Sequence, residues 1–129
     1  MAVERVFSGS PAEPVYGYCR AIRRGNLIFV SGTAAYADDG SIVAPGETYP
    51  QTLRCFEIIR KAVEELGGRM SDVVRTRMFV TDIAMASEVG RAHQAVFAEH
   101  PPTSTLVEVT ALVNPQLVVE IEVDAVLGD

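Results

Sequence analysis

The residues best suited to chemistry are dispersed along the chain. Glu120 opens a Glu120-Ile121-Glu122 string near the C-terminal end. A carboxylate partly desolvated in a cleft has its pKa raised toward the working range of a general base, which takes a proton from an attacking water. The same side chain can equally be a cross-strand partner of Arg75 or Arg77, a pairing worth about 0.2–1 kcal/mol. Ser31 precedes Gly32, whose missing side chain lets a backbone amide approach a ligand. With no His-Asp pair to activate it, Ser31 reads as a hydrogen-bond donor to a ligand or as a strand end, not as a nucleophile. Tyr18, Arg20 and Ile22 share one side of an extended segment by the two-residue period. Arg20 is then either a planar donor fork for an anion or a solvent-facing member of a basic run with Arg23 and Arg24.

The remaining reactive residue types have blander readings. His93 falls on an apolar helix stripe with Val89 and Phe97 and is expected to pack there, hydrogen-bonded, in the core or an interface. His100 sits at the end of that helix, where a donor suits the helix dipole. Cys19 and Cys55 are 36 residues apart with no second Cys or His at ligand spacing. They read as small buried apolar residues, without a zinc site or a secreted-type disulfide framework. No metal and no organic cofactor is expected. The 129 residues carry 11 Lys+Arg against 17 Asp+Glu, a formal charge of −6. That balance argues against nucleic acid, which is bound by displacing counterions with Lys and Arg. No apolar run approaches a membrane span, and the N-terminal stretch lacks the apolar core of a signal peptide. A reduced cytoplasmic protein without membrane contact is the expectation.

Residues 1–129 read as one domain. Strands are expected at Val3–Ser8, Tyr18–Arg23 and Leu27–Gly32, the last two joined at Gly25-Asn26 as a hairpin. Thr48 caps a helix running to Leu66, with Pro50 in its first turn and Leu53, Phe56, Ile59, Ala62, Val63 and Leu66 on one stripe. Gly67 ends it in a left-handed conformation. A strand at Val73–Val80, a helix at Ile83–Glu99 and strands at Leu106–Leu112 and Val118–Leu127 follow, the last pair joined through Asn114-Pro115. Pro11 and Pro14 fall in an entry loop. The β-β-β-α-β-α-β-β order makes the class α+β, with two helices packed on one face of a mixed sheet. The other face carries Arg75, Arg77, Glu120, Glu122 and Asp124. It is either solvated or buried between copies of the chain.

Several strings, in order over residues 15–127, resemble the Rid (reactive-intermediate deaminase, YjgF or RidA-like) family. They are Gly25-Asn26-Leu27-Ile28-Phe29-Val30-Ser31-Gly32, Thr52-Leu53-Arg54-Cys55-Phe56-Glu57-Ile58-Ile59, Ser71–Asp82, and Val107-Glu108-Val109 followed by Val119-Glu120-Ile121-Glu122. The resemblance implies a chorismate-mutase-like subunit and a homotrimer with small-molecule clefts between subunits. It also implies hydrolysis of imines and enamines to keto acids and ammonia, without metal or cofactor. Tyr18, Ser31 and Glu120 fall at family site positions. Ser104 stands where the deaminases carry the arginine that clamps the substrate carboxylate, Leu106 where they carry a cysteine, and Gly90 where a helix asparagine lines the cleft. A serine cannot reproduce two parallel charged hydrogen bonds, so the resemblance carries the fold and not the usual 2-aminoacrylate deaminase activity. Arg20 is the candidate to supply the missing guanidinium. The expected function is therefore hydrolysis of an imine, enamine or related small metabolite. The alternative is a non-catalytic protein that binds a small carboxylate or anion. Older descriptions of the family as ribonucleases fit the charge poorly.

Overall fold

The computed structural model describes residues 2–128. A single six-stranded mixed sheet has the order β1-β2-β3-β6-β4-β5. Its strands are β1 (Val3–Val6), β2 (Ala21–Arg24), β3 (Leu27–Ala34), β4 (Val73–Val80), β5 (Thr103–Glu108) and β6 (Val119–Val126). A short helix α1 (Ala12–Tyr16) follows β1, while α2 (Thr48–Glu65) and α3 (Ala86–Phe97) are the long helices. All strand pairs are antiparallel except β4 with β5, which run parallel and are joined by α3. A parallel pair needs such a crossover, because no short turn can return the chain to the same end of the sheet.

Alternation along β6 organises the core. Val119, Ile121, Val123 and Ala125 are buried under the helices, while Glu120, Glu122 and Asp124 face the other way. From β3, Ile28 and Val30 join the buried side, and β4 adds Met78 and Val80. Helix α2 seals this face with Phe56, Ile59, Val63 and Leu66, and α3 with Val89, Ala92 and Phe97. Gly67 stops α2 at φ 89°, as expected, and Gly25 turns the β2–β3 hairpin at φ 64°; both are left-handed positions that favour glycine.

Besides shifts of one to three residues at other element ends, the chain departs from expectation in four places. The Pro11–Pro14 stretch is not loop throughout but winds into α1, which closes on left-handed Gly17 at φ 81°. Proline is tolerated there because the amides of a first turn have no intrahelical acceptor. The second strand begins at Ala21, so Tyr18, Cys19 and Arg20 form its approach. Thr48 is the first residue of α2 rather than its cap, and the cap position is Glu47, which makes no side-chain bond. The fifth strand starts at Thr103, three residues before the expected Leu106, and ends at Glu108. β-branched Thr103 and Thr105 follow Pro102 directly, and Thr103 Oγ1 donates to the Val74 carbonyl at 2.7 Å, which pins the strand start beside β4.

One polar side chain ties α2 to the entrance of β6. Gln51 is fully buried. Its amide nitrogen donates to the Gln116 carbonyl at 2.8 Å and the Ala44 carbonyl at 3.2 Å, and its oxygen accepts from Val118 N–H at 2.9 Å. Both carbonyls have a second donor, from Gly46 and Glu47, but the Val118 amide loses its acceptor if Gln51 is changed. Gln51→Leu is therefore expected to cost about 1–3 kcal/mol of stability, the typical penalty for an orphaned buried donor, measured by urea unfolding. An unchanged midpoint would show that water replaces the amide.

Candidate functional site

Four of the five expected site residues gather at one place. Tyr18 and Arg20 lie on the approach to β2, Ser31 on β3 and Glu120 on β6. Ser31 and Gly32 sit in a β-bulge: between the Val30↔Val123 and Thr33↔Ile121 pairs, β3 has one residue more than β6. A bulge twists the strand locally and re-aims its side chains. Gly32 leaves room for the carboxylate in this position, since a Cβ there would stand 2.5 Å from Glu120 Oε2 and displace it. The carboxylate thus lies directly over the bulged backbone.

Arg20 organises this corner from beneath. It is 9% exposed. Its Nη2 donates to the Gly32 carbonyl at 2.6 Å, and Nη1 stands 3.9 Å from Glu13 Oε2. Its guanidinium lies 5.7 Å from the centroid of the Tyr18 ring. Glu13, 1% exposed, is held from the other side by the Ser8 amide and hydroxyl. The sequence offers no signal for Glu13, since a charged residue in a short proline-flanked helix reads as surface. Its burial follows from the turn at Gly17, which folds α1 back so that Tyr18 N–H reaches the Glu13 carbonyl at 3.0 Å. Arg20 is thus not solvent-facing: its two Nη atoms are directed at groups of its own chain, while its buried Nε has no hydrogen-bond partner among the described residues.

Ser31 also differs from its expected role. Its hydroxyl donates to the Cys19 carbonyl at 2.8 Å, leaving it lone pairs, not a proton, for a ligand. Glu120 is half-buried, and burial pushes its pKa above the ordinary carboxylate range. The Arg20 charge opposes that rise and Glu122 adds to it. Glu122 accepts from Arg77 Nη1 at 3.3 Å, which also reaches Asp124 at 3.4 Å. The ladder role considered for Glu120 is therefore filled by its neighbours. Cys55 is buried as expected, and burial drives its thiol pKa up, removing it from chemistry at neutral pH. Cys19 is partly exposed.

A cleft of about 380 Å³ opens at this corner, lined by Phe7, Glu13, Tyr18, Cys19 and Ser31 among others. A larger groove of about 470 Å³ runs beside Leu53 and Arg54. Its cation is already bonded to the Tyr36 carbonyl, Asp38 and Glu57, and it brings no acid–base pair together. The Tyr18–Ser31 corner is the better candidate.

Ser104 is elsewhere. It pairs in register with Thr76, whose side chain lies on the helix-covered face, and it accepts a hydrogen bond from Thr76 Oγ1 at 2.9 Å. Glu120 pairs with Phe79 on the opposite face. Within one chain, Ser104 and Glu120 therefore lie on opposite sides of the sheet. Leu106 follows Ser104 on β5, and Gly90 on α3 has open space around it.

Comparison with known proteins agrees with this architecture. The family model described as Endoribonuclease L-PSP matches residues 9–127. An uncharacterised protein of Streptomyces coelicolor is 35% identical over 127 residues, covering 98% of this chain and 94% of its own. A RutC family protein of Pyrococcus abyssi is 30% identical over 118 residues, covering 92% and 93%. The crystal structure of a Mycobacterium tuberculosis member of the YjgF/YER057c/UK114 family superposes with a TM-score of 0.89 at 40% identity, over 98% of this chain and 100% of that one. A Rid-family protein of unknown function from Yersinia pestis gives 0.87 at 26% identity, over 98% and 100%. The chain belongs to the endoribonuclease L-PSP family, the YjgF/Rid group of proteins.

Proposed function

We propose that the protein is a homotrimeric hydrolase of small imines or enamines, with each cleft built between two copies. One copy contributes Tyr18, Ser31 and Glu120, and its neighbour contributes Ser104. The observation that carries this reading is Glu120: a half-buried carboxylate with a raised pKa, held over Gly32, the residue next to cleft-lining Ser31. The opposite placement of Ser104 supports the composite arrangement, since a second copy is needed to bring the two together. Expected assembly is three copies per particle by sedimentation equilibrium, and a monomer at micromolar concentration would remove the composite cleft.

The chemistry follows from the groups present. Glu120 takes a proton from water as the water oxygen bonds to the C=N carbon, and passes that proton to the nitrogen to complete a carbinolamine. Glu120 then carries the remaining hydroxyl proton to the nitrogen as the C–N bond breaks, which releases ammonia or an amine, leaves a carbonyl and returns the carboxylate. Ser31, with its proton held by Cys19, accepts a hydrogen bond from the substrate N–H. Tyr18 closes the cleft wall. Arg20 acts through Glu120 and the Gly32 carbonyl rather than as a free clamp. The family's ribonuclease label finds little support in a chain of net charge −6. Ser104 in place of an arginine also leaves room for ligand binding without turnover. Ammonia release from a freshly generated imine decides between the two, and Glu120→Gln is expected to abolish it.

Two further outcomes are expected. Imines of the 2-aminoacrylate type should turn over about 10- to 100-fold or more below an arginine-bearing family member, because charged hydrogen bonds of roughly 1.5–3 kcal/mol each are missing and about 1.36 kcal/mol is tenfold in rate. Equal rates would show that position 104 is not the anchor. The pH profile tests Glu120 and Arg20 together. A base must be ionised, so with its pKa raised, the rate falls with decreasing pH at values above the ordinary carboxylate range. Arg20 holds that pKa down, so Arg20→Ala is expected to move the acid limb to higher pH. Arg20→Ala with Glu13→Gln avoids stranding the buried Glu13 charge. An unmoved limb in both variants would separate Arg20 from the base.

A further inference from the structure

The cleft carries one guanidinium that no acid balances. Arg5 of β1 lines it beside Phe7 and Tyr18. Arg5 is exposed, and among the described residues no carboxylate stands within ion-pair distance of it. The sheet register explains why. Arg5 pairs with Ile22, Ile22 with Phe29 and Phe29 with Asp124, so all four share the face turned away from the long helices. Glu4 alternates to the other face. Asp124 stands three strands away and is bonded to Arg77. Glu13, the acid of the cleft wall, is buried and held by Ser8 and Arg20. Arg24, two residues on from Ile22 and so on the same face as Arg5, is also exposed and without a carboxylate among the described residues. This end of the cleft is therefore cationic in a chain of net charge −6.

Arg5 is well removed from Glu120. Three strand spacings separate β1 from β6, roughly 14 Å, and Glu120 lies four residues along β6 from Asp124, roughly a further 13 Å. Their Cα atoms are thus about 19 Å apart in the plane of the sheet, more than an arginine and a glutamate side chain span between them. Phe7 is two residues on from Arg5 and Ser31 two on from Phe29, each a step toward Glu120. Phe7 is 62% exposed, a large apolar face left uncovered on the cleft wall, and Tyr18 adds a second ring.

We infer that Arg5 and Phe7 form a distal subsite of the cleft, in which Arg5 takes an anionic group several bonds removed from the C=N carbon and Phe7, with Tyr18, covers a planar or apolar body between the two. This rests on the reading of the Tyr18–Ser31 corner as the ligand cleft. A carboxylate bonded directly to the C=N carbon lies at the Glu120 end of the span and falls short of Arg5. The ligand class is therefore an elongated imine, or its carbonyl product, with a negative charge at the far end. The cleft volume of about 380 Å³ falls in the range of pockets that hold ligands of that size, roughly 300–1,000 Å³.

The test is calorimetric binding of three probes to the assembled protein. Sodium 4-acetylbenzoate carries its carboxylate across a ring from the carbonyl, acetophenone lacks the carboxylate, and sodium phenylglyoxylate has it adjoining the carbonyl. The first is expected to bind about three- to tenfold more tightly than acetophenone, the gain of a charge-assisted bond at an exposed arginine, and the gain should shrink as salt is raised. Arg5→Gln should remove that gain and leave acetophenone and phenylglyoxylate unchanged. Phe7→Ala should weaken 4-acetylbenzoate and acetophenone alike, with the assembly unchanged by sedimentation equilibrium. Equal affinity of the wild type for 4-acetylbenzoate and acetophenone overturns the proposal. So does Arg5→Gln binding 4-acetylbenzoate as wild type, or losing phenylglyoxylate to the same extent. A Phe7→Ala variant altered in assembly and not in affinity overturns it too, because Phe7 is then covered by a second copy. Wild type binding none of the three probes counts against the cleft reading and the proposal with it. Probe binding needs no turnover, so an Arg5-dependent gain in a protein that releases no ammonia from imines supports the subsite and overturns only the hydrolase reading.

Discussion

The two-residue alternation of β6 is the constraint from which the rest of the molecule follows. This strand is paired on both edges, by β3 and by β4, so its register cannot slip without turning four buried apolar side chains out of the core. Val119, Ile121 and Val123 are completely buried and Ala125 nearly so. At roughly 25 cal/mol per Å² of apolar surface removed from water, that burial holds the intervening carboxylates firmly on the opposite face. Glu120 is therefore delivered to its place by the packing of its neighbours. Gln51 anchors the entrance of the same strand through Val118, so the register is set from its beginning.

The bulge at Ser31-Gly32 converts that register into the candidate site. An extra residue in β3 lets the backbone rise toward Glu120, and a side chain at Gly32 would push the carboxylate from its present position. Arg20 secures the arrangement from below by binding the Gly32 carbonyl, and Glu13 balances its charge in a setting almost without solvent. Desolvation drives the Glu120 proton affinity up while the Arg20 charge restrains it. Of the two influences desolvation is the larger, so the pKa of the carboxylate stays above its ordinary value.

Much of this was readable from residue order, and the failures have physical causes. The helix stripe of α2, its glycine stop, the hairpin at Gly25 and the alternation of β6 all follow from local periodicity, and they position Ser31 and Glu120. Short elements were less legible. Helix α1 has five residues and two nearby prolines, too few positions for a periodic signal. The start of β5 was obscured because Thr103, Ser104 and Thr105 are polar, while the strand is held by parallel pairing with a partner distant in sequence. Arg20 illustrates the harder limit. Its proximity to Tyr18 was foreseeable, but its partners come from α1 and the β3 bulge, and no spacing rule connects Glu13, Arg20 and Gly32. The ladder role weighed for Glu120 rested on the same uncertainty about partners: Arg77 pairs instead with Glu122 and Asp124.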